Sequence, residues 1–447
     1  MSLRMRYNIS VVFGKEFKNM FKKFFTVVML TLFVGTVHAE LQIEITGGIN
    51  EGHKIAVLPF KQDPAVNLDV SSIVSADLMR SGKFSPLPQS SLPQVVSADG
   101  GIENVDALSA TGAEVAVSGI VNKTADNKFN VEFKVTGLAG SNKGRVLSHF
   151  RGASSLSTMR QAAHRVSDRV YELFTKQKGC FRTKIAYVVY KRGATFPYQL
   201  MTSDYDGYNE VPIVKSTQPI MTPVWAPDGK RVAYVSFENR KPAIFVQDIF
   251  TKKRTRLSSF TGLNSSPAWS PDGTKIAMTL SKDGQPDIYY YDLTTSSFVR
   301  VTADRSIDTE PTWSEDSRTL FFTSERGGKA QIYKFDFATK KVDRVTYQGA
   351  RNLSAKTIPG TNSLIVITQV NGFRVARVDA DGSIYMLTTS SLDESPSVAP
   401  NGSMVIYSTV YQGRKGLALV SSDGRFKANL PSSSGEISAP SWGPNVQ

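Results

Sequence analysis

A seven-residue pattern returns along the second half of this chain at an almost constant interval. Pro223-Val224-Trp225-Ala226-Pro227-Asp228-Gly229 is followed by Pro267-Ala268-Trp269-Ser270-Pro271-Asp272-Gly273 and by Pro311-Thr312-Trp313-Ser314-Glu315-Asp316-Ser317. A degenerate copy, Ala355-Lys356-Thr357-Ile358-Pro359-Gly360-Thr361, then Pro396-Ser397-Val398-Ala399-Pro400-Asn401-Gly402, then a terminal Pro440-Ser441-Trp442-Gly443-Pro444 make six, spaced 44, 44, 44, 41 and 44 residues. A period of this length means stacked or radially repeated units rather than one ordinary core. Within each copy the Trp or Val is placed to enter a core. The Pro-Asp-Gly makes a turn, because Pro fixes φ, Asp bonds the local backbone and Gly supplies a positive φ.

Each turn is followed by a short apolar run, at 232–235, 276–280, 320–323, 364–367 and 404–407, which reads as a strand. A second run follows, as at 244–246, 288–290 and 332–334; two of these end in Asp292 and Asp336. A more polar third run closes the unit, with Arg256, Arg300 and Arg344 again 44 apart. Four short strands per unit fit propeller blades, and a solenoid is the competitor. The chain ends decide between them. Residues 183–214 hold three strands of a blade without its first, and 439–442 hold a first strand without the rest. Joining them closes a ring of six blades and leaves no open sheet edge. The expected fold is therefore mainly β, a six-bladed β-propeller closed by the C-terminal strand.

A small α/β domain is expected before the ring. A buried strand at 55–60, a helix at 70–79, alternating strands at 114–121, 129–136 and 145–150, and an amphipathic helix at 156–174 carry that reading. The expected boundaries are 1–39, 40–178 and 179–447. Residues 1–39 read as a signal peptide. Lys15, Lys18, Lys22 and Lys23 precede an apolar run at 24–34, and Val37-His38-Ala39 gives a small-x-small cleavage site after Ala39. A start at Met20 gives such a signal its ordinary length. No later stretch approaches the roughly twenty apolar residues of a membrane span. The net charge of +14 falls to about +9 once the six Lys/Arg and one Glu of residues 1–39 are removed. The basic residues are dispersed, without interleaved aromatics, which argues against nucleic acid. The single cysteine, Cys180, excludes an internal disulfide and reads as a packed residue at the domain junction.

The strings Ile185-Ala186-Tyr187-Val188-Val189, Ser203-Asp204-Tyr205-Asp206-Gly207-Tyr208-Asn209, Leu392-Asp393-Glu394-Ser395-Pro396 and Ser422-Asp423-Gly424-Arg425-Phe426-Lys427 resemble the TolB family of the Tol-Pal cell-envelope system. The resemblance covers essentially the whole chain after residue 39, and it implies a periplasmic, non-enzymatic, monomeric adaptor with two protein partners and no cofactor. One is a Pal-like peptidoglycan-associated lipoprotein, bound at one propeller mouth through Leu263, Asn264, Thr309, Glu310, Asn352, Asp393 and Glu394. The other is a TolA-like inner-membrane protein, met by the extended N-terminal segment Glu40, Leu41, Gln42, Ile43, Glu44, Ile45 and Thr46. In that segment apolar and polar residues alternate, as an added edge strand requires.

The residues offer little catalytic chemistry. The four histidines are His38, His53, His149 and His164, none of them in the propeller. No G-x-S-x-G, Walker A or G-x-G-x-x-G motif occurs. The Asp204–Asn209 string lacks the spacing of a calcium loop and reads as a hairpin turn, a cation site being the lesser reading. The alternative function is a propeller enzyme or a glycan-binding module.

Overall fold

The computed structural model describes residues 52–430 and 435–445. The expected signal peptide and the segment Glu40–Thr46 lie outside the described residues. Six four-stranded antiparallel sheets follow one another from residue 184 onward. In five of them the strands run inner to outer in chain order, as in Asn264–Trp269, Lys275–Leu280, Asp287–Asp292 and Ser297–Arg300. In the sixth, Glu436–Trp442 pairs antiparallel with Lys184–Tyr190 and supplies the innermost strand, with Trp442 opposite Ile185. The ring is closed by its own last strand.

Local chemistry explains each blade. Asp228 Oδ1 accepts from the Lys230 and Arg231 N–H groups at 2.8 and 3.2 Å, and Asp272 and Asp316 repeat this bond at the next two turns. Asp248, Asp292 and Asp336 cap the turn after the third strand, each accepting two backbone N–H bonds. The tryptophans end the inner strands and are buried. They also tie neighbouring blades: Trp313 Nε1 donates to the Ala268 carbonyl at 3.1 Å, and the Trp442 N–H donates to Ser397 Oγ at 2.8 Å. The degenerate repeat keeps its place with other bonds, since Gly360 N–H donates to Glu315 Oε2 at 2.9 Å.

The preceding residues form a six-stranded sheet. Its strands are β1 (His53–Val57), β2 (Lys61–Gln62), β3 (Phe84–Pro86), β4 (Val115–Lys123), β5 (Phe129–Gly137) and β6 (Val146–Ser154). The order is β3-β1-β4-β5-β6, with β2 beside β4. The helices are α1 (Val70–Arg80), α2 (Val105–Ser109) and α3 (Met159–Thr175). Asp69 caps α1 by accepting from Ser72 N–H at 3.2 Å. Lys176, at φ 60°, ends α3 in the left-handed conformation. The short β3 and α2 were not legible in the sequence. Helices α1 and α3 pack on each other, and their apolar faces share one core with the closing blade, from Ile55 and Val170 through Phe181 to Trp442. No helix among the described residues is long and apolar enough to cross a membrane.

Candidate functional site

The two faces of the ring are built differently. On one face lie the loops that lead into the inner strands. Each inner strand breaks register just inside that face. The residue at the break is left-handed in every blade: Thr222, Ser266, Glu310, Ser354, Ser395 and Ala439 have φ between 45° and 55°. A bulge of this kind re-aims the chain at a rim. With the prolines that follow, these residues line an axial cavity of about 100 Å³.

The seven residues expected to meet a Pal-like partner all stand at this face, in distinct settings. Asn264, Asn352 and Asp393 are equivalent positions in three blades and are buried. Asn264 bonds the Phe260 backbone in both directions, at 2.7 and 3.0 Å. Asn352 Nδ2 donates to the Gln348 carbonyl and Gln331 Oε1 at 2.7 and 2.8 Å. Asp393 accepts from Ser390 Oγ and Thr409 Oγ1 at 2.6 and 2.7 Å. These side chains hold the rim loops in shape, and their hydrogen-bonding capacity is largely spent inside the chain. Leu263 and Thr309 are half-buried. Glu310 reaches the neighbouring blade, accepting from the Ser354 N–H at 2.8 Å and Ser354 Oγ at 2.6 Å, and it also accepts from Thr323 Oγ1 of its own blade at 2.8 Å. Lys356 stands beside it in the axial cavity, where burial holds its ammonium below the ordinary lysine range against the pull of Glu310. Glu394 is exposed and paired with Lys415.

Glu310, Asp393 and Glu394 gather round one hollow of about 440 Å³ between two blades; Leu263, Asn264, Thr309 and Asn352 do not line it. Its floor is apolar, with Leu353, Ile367 and Phe373, and Val410 and Leu392 stand at its edge 40% and 57% exposed. Sequence reasoning passed over these apolar residues. The one available signal was Leu392 beside Asp393 and Glu394 in a loop.

The opposite face carries the turns, and the α/β residues pack against it. Lys83 pairs with Asp423 at 2.9 Å, and Asn401 Nδ2 donates to the Lys178 carbonyl at 3.1 Å. Cys180 is buried with its Sγ 3.8 Å from Ser403 Oγ, and burial pushes its thiol up. The expected hairpin turn at Asp204–Asn209 is present, with Asp204 N–H bonded to the Tyr208 carbonyl at 2.8 Å. Its side chains enter a charged cluster that the sequence did not announce. Asp77 on α1 receives His164 Nδ1 at 2.7 Å, Ser167 Oγ at 2.6 Å, Arg80 Nη1 at 3.2 Å and the Tyr205 hydroxyl. Asp206 receives Arg160 Nε at 3.1 Å and faces His164 Nε2 at 3.4 Å. Burial works against charge on His164, but Asp77 and then Asp206 hold the imidazole above its ordinary range. Burial likewise opposes ionised Asp206, yet His164, Arg160 and Arg80 keep its carboxyl below the ordinary range. The ligand atoms of Asp77, His164 and Asp206 lie within 4.8 Å of one another, a spacing suited to a metal. Two guanidiniums already neutralise these carboxylates, so the donor set suits a proton on His164 better than a cation. His53 and His149 meet Glu114 and Glu132 at 2.9 and 2.7 Å.

Comparison with known proteins gives a consistent result over both parts of the chain. The model of the TolB amino-terminal domain matches residues 41–143, and that of the TolB beta propeller domain matches residues 171–446. The Tol-Pal system protein TolB of Mannheimia succiniciproducens is 50% identical over 422 residues, covering 94% of this chain and 96% of that protein. The protein of the same name from Histophilus somni is 51% identical over 425 residues, covering 94% and 96%. The crystal structure of TolB from Acinetobacter baumannii superposes with a TM-score of 0.83 at 37% identity, over 91% of this chain and all of that one.

Proposed function

This chain belongs to the TolB family of Tol-Pal system proteins, and from that premise we propose that it is a non-enzymatic periplasmic adaptor linking two envelope proteins. One partner is a Pal-like peptidoglycan-associated lipoprotein docked at the propeller mouth. The other is a TolA-like inner-membrane protein that pairs with residues 40–46 once the signal peptide is cleaved after Ala39. The division into 40–178 and 179–447 belongs to the same proposal. Its role in the cell is to support envelope integrity and outer-membrane constriction at division.

One observation carries the reading. The α/β residues occupy the turn face of the ring, and the other face presents a hollow of about 440 Å³ with apolar lining residues and a charged rim that carries Glu394 and Lys415. An apolar anchor framed by charge is what a protein partner with a protruding apolar side chain needs. The rim loops are already held by Asn264, Asn352 and Asp393, so little ordering cost remains to be met on docking.

The test is calorimetric titration of residues 40–447 with a soluble Pal-like domain. Leu392→Asp puts a charge at the edge of the hollow and is expected to weaken the complex about 30-fold, the loss of one anchor residue. Unchanged affinity would remove the hollow from the docking site. Deleting residues 40–46 should abolish binding of a TolA-like domain; retained binding would put that contact elsewhere.

A further inference from the structure

A second hollow, of about 420 Å³, lies on the turn-face side where α3, β6, the junction and the C-terminal tail meet. Four cationic side chains converge on it: Arg165 and Arg169 from α3, Lys178 and Arg182 from the junction. Two carboxylates, Asp168 and Glu172, share the lining, but both are engaged within the chain. Asp168 accepts from the Phe181 N–H at 2.9 Å and from Arg182 Nε at 2.8 Å. Glu172 accepts from Arg169 Nη1 at 3.2 Å.

Arg165 is left over. Among the described residues no hydrogen bond or ion pair engages its guanidinium. Burial, and after it the charges of Arg182 and Arg169, hold that guanidinium below the ordinary arginine range, with Asp168 pulling the other way. Its place is fixed by the fold. The i, i+4 spacing of Arg165 and Arg169 sets both on one face of α3. Arg182 is brought beside them because the chain passes very close to Asp168 at Gly179, where a Cβ would lie 2.2 Å from Asp168 Oδ1. Asn445 Nδ2 then ties the tail to the Gly179 carbonyl at 2.8 Å. The result is a concave, preformed cluster with more positive than negative charge and one unspent guanidinium fork.

We propose that this hollow binds a phosphate-type oxyanion, with Arg165 as its principal ligand and Arg169, Arg182 and Lys178 around it. A planar guanidinium matches two oxygens of such a group, and its negative charge offsets the surplus positive charge. The same chemistry is carried by free phosphate and by the phosphate of an anionic lipid headgroup. The site is separate from the mouth and stands or falls without it.

The experiment titrates residues 40–447 with inorganic phosphate against chloride at equal ionic strength, following heat and melting temperature. Flotation with phosphatidylglycerol vesicles, against phosphatidylcholine vesicles, then separates the two sources. Saturable phosphate binding with a raised melting temperature is expected. Arg165→Gln should weaken it about tenfold, the loss of one charge-assisted bond. Lys241→Gln, on an exposed loop of another blade, should leave it unchanged. Vesicle binding lost in Arg165→Gln would assign the lipid source, and phosphate binding without vesicle binding the free anion. Equal heats in phosphate and chloride, or an Arg165→Gln protein that binds like the parent, would overturn the proposal.

Discussion

The two faces of the ring solve opposite problems with polar residues. At the turn face, Asp77, Arg80, Arg160, His164, Tyr205 and Asp206 come from two helices and a blade turn, and all but the partly exposed Arg160 are cut off from water. At the mouth, the rim residues satisfy each other within single blades or between neighbouring ones, and the charges left over, such as Glu394 and Lys415, remain in contact with solvent. A buried charge network costs desolvation and holds only while every partner is present. A wet rim costs little to expose and can be covered and uncovered. The first is the chemistry of a permanent joint and the second that of an exchangeable one.

The largest expected effect comes from breaking the permanent joint. Asp77→Ala would leave Arg80, His164, Ser167 and Tyr205 without their common acceptor. Removing one member of a buried network costs about 3–5 kcal/mol. Urea unfolding should show that loss, while affinity at the mouth stays within twofold of the parent. A cost below about 1 kcal/mol, the level of a surface pair, would mean that the contrast between the faces is not energetic.

His164 gives the joint a pH signature of its own. The folded chain raises the imidazole, so its contribution is fully present below about pH 6.5 and is lost as pH rises through the folded value. Asp206 is lowered, so its contribution is present above about pH 4 and is lost as pH falls through its folded value. The groups facing His164 are Asp77 and Arg80 from α1, Arg160 and Ser167 from α3, and Tyr205 and Asp206 from the blade turn. Stability should therefore decline on the alkaline side, by about 1.4 kcal/mol for each unit by which folding raises the imidazole. His164→Gln should be less stable than the parent at pH 6, with the gap narrowing toward pH 9. Two parallel profiles would show that His164 carries no charge in the joint.

How much of this could be read from the sequence depends on the distance over which each feature is encoded. The blades were legible because their turns are written in three adjacent residues, Pro-Asp-Gly, and because Trp442 recurs in step with Trp225, Trp269 and Trp313. The left-handed ring was not legible. Its members, Thr222, Glu310 and Ala439 among them, are not glycines, and none of the six is Asn or Asp either, so composition gave no sign of a positive φ. Five of them precede proline, where extended backbone is the expectation. The charged joint was invisible for another reason: Asp77, His164 and Asp206 meet only because α1, α3 and a turn of the closing blade meet. The hairpin turn at Asp206 was read correctly as backbone, and what its side chain does could not be read at all. Asn264, Asn352 and Asp393 entered the reading by resemblance, and their burial gives them the task of shaping the rim loops.

The smallest effect is expected at Glu394, and it sharpens the comparison from the exchangeable side. Glu394 is exposed and its pair with Lys415 is open to solvent. Reversing it with Glu394→Lys should change unfolding free energy by less than about 1 kcal/mol. Rim charges act chiefly on encounter, through a field that salt screens within about 8 Å at physiological ionic strength. The association rate of a Pal-like domain should therefore change at low salt and converge with the parent near 0.5 M salt, about three times the physiological level. Dissociation should change little. If Glu394→Lys instead destabilised the chain as Asp77→Ala does, the rim pair would be part of the scaffold. The mouth would then be a second permanent joint, and the division of labour between the two faces would fail.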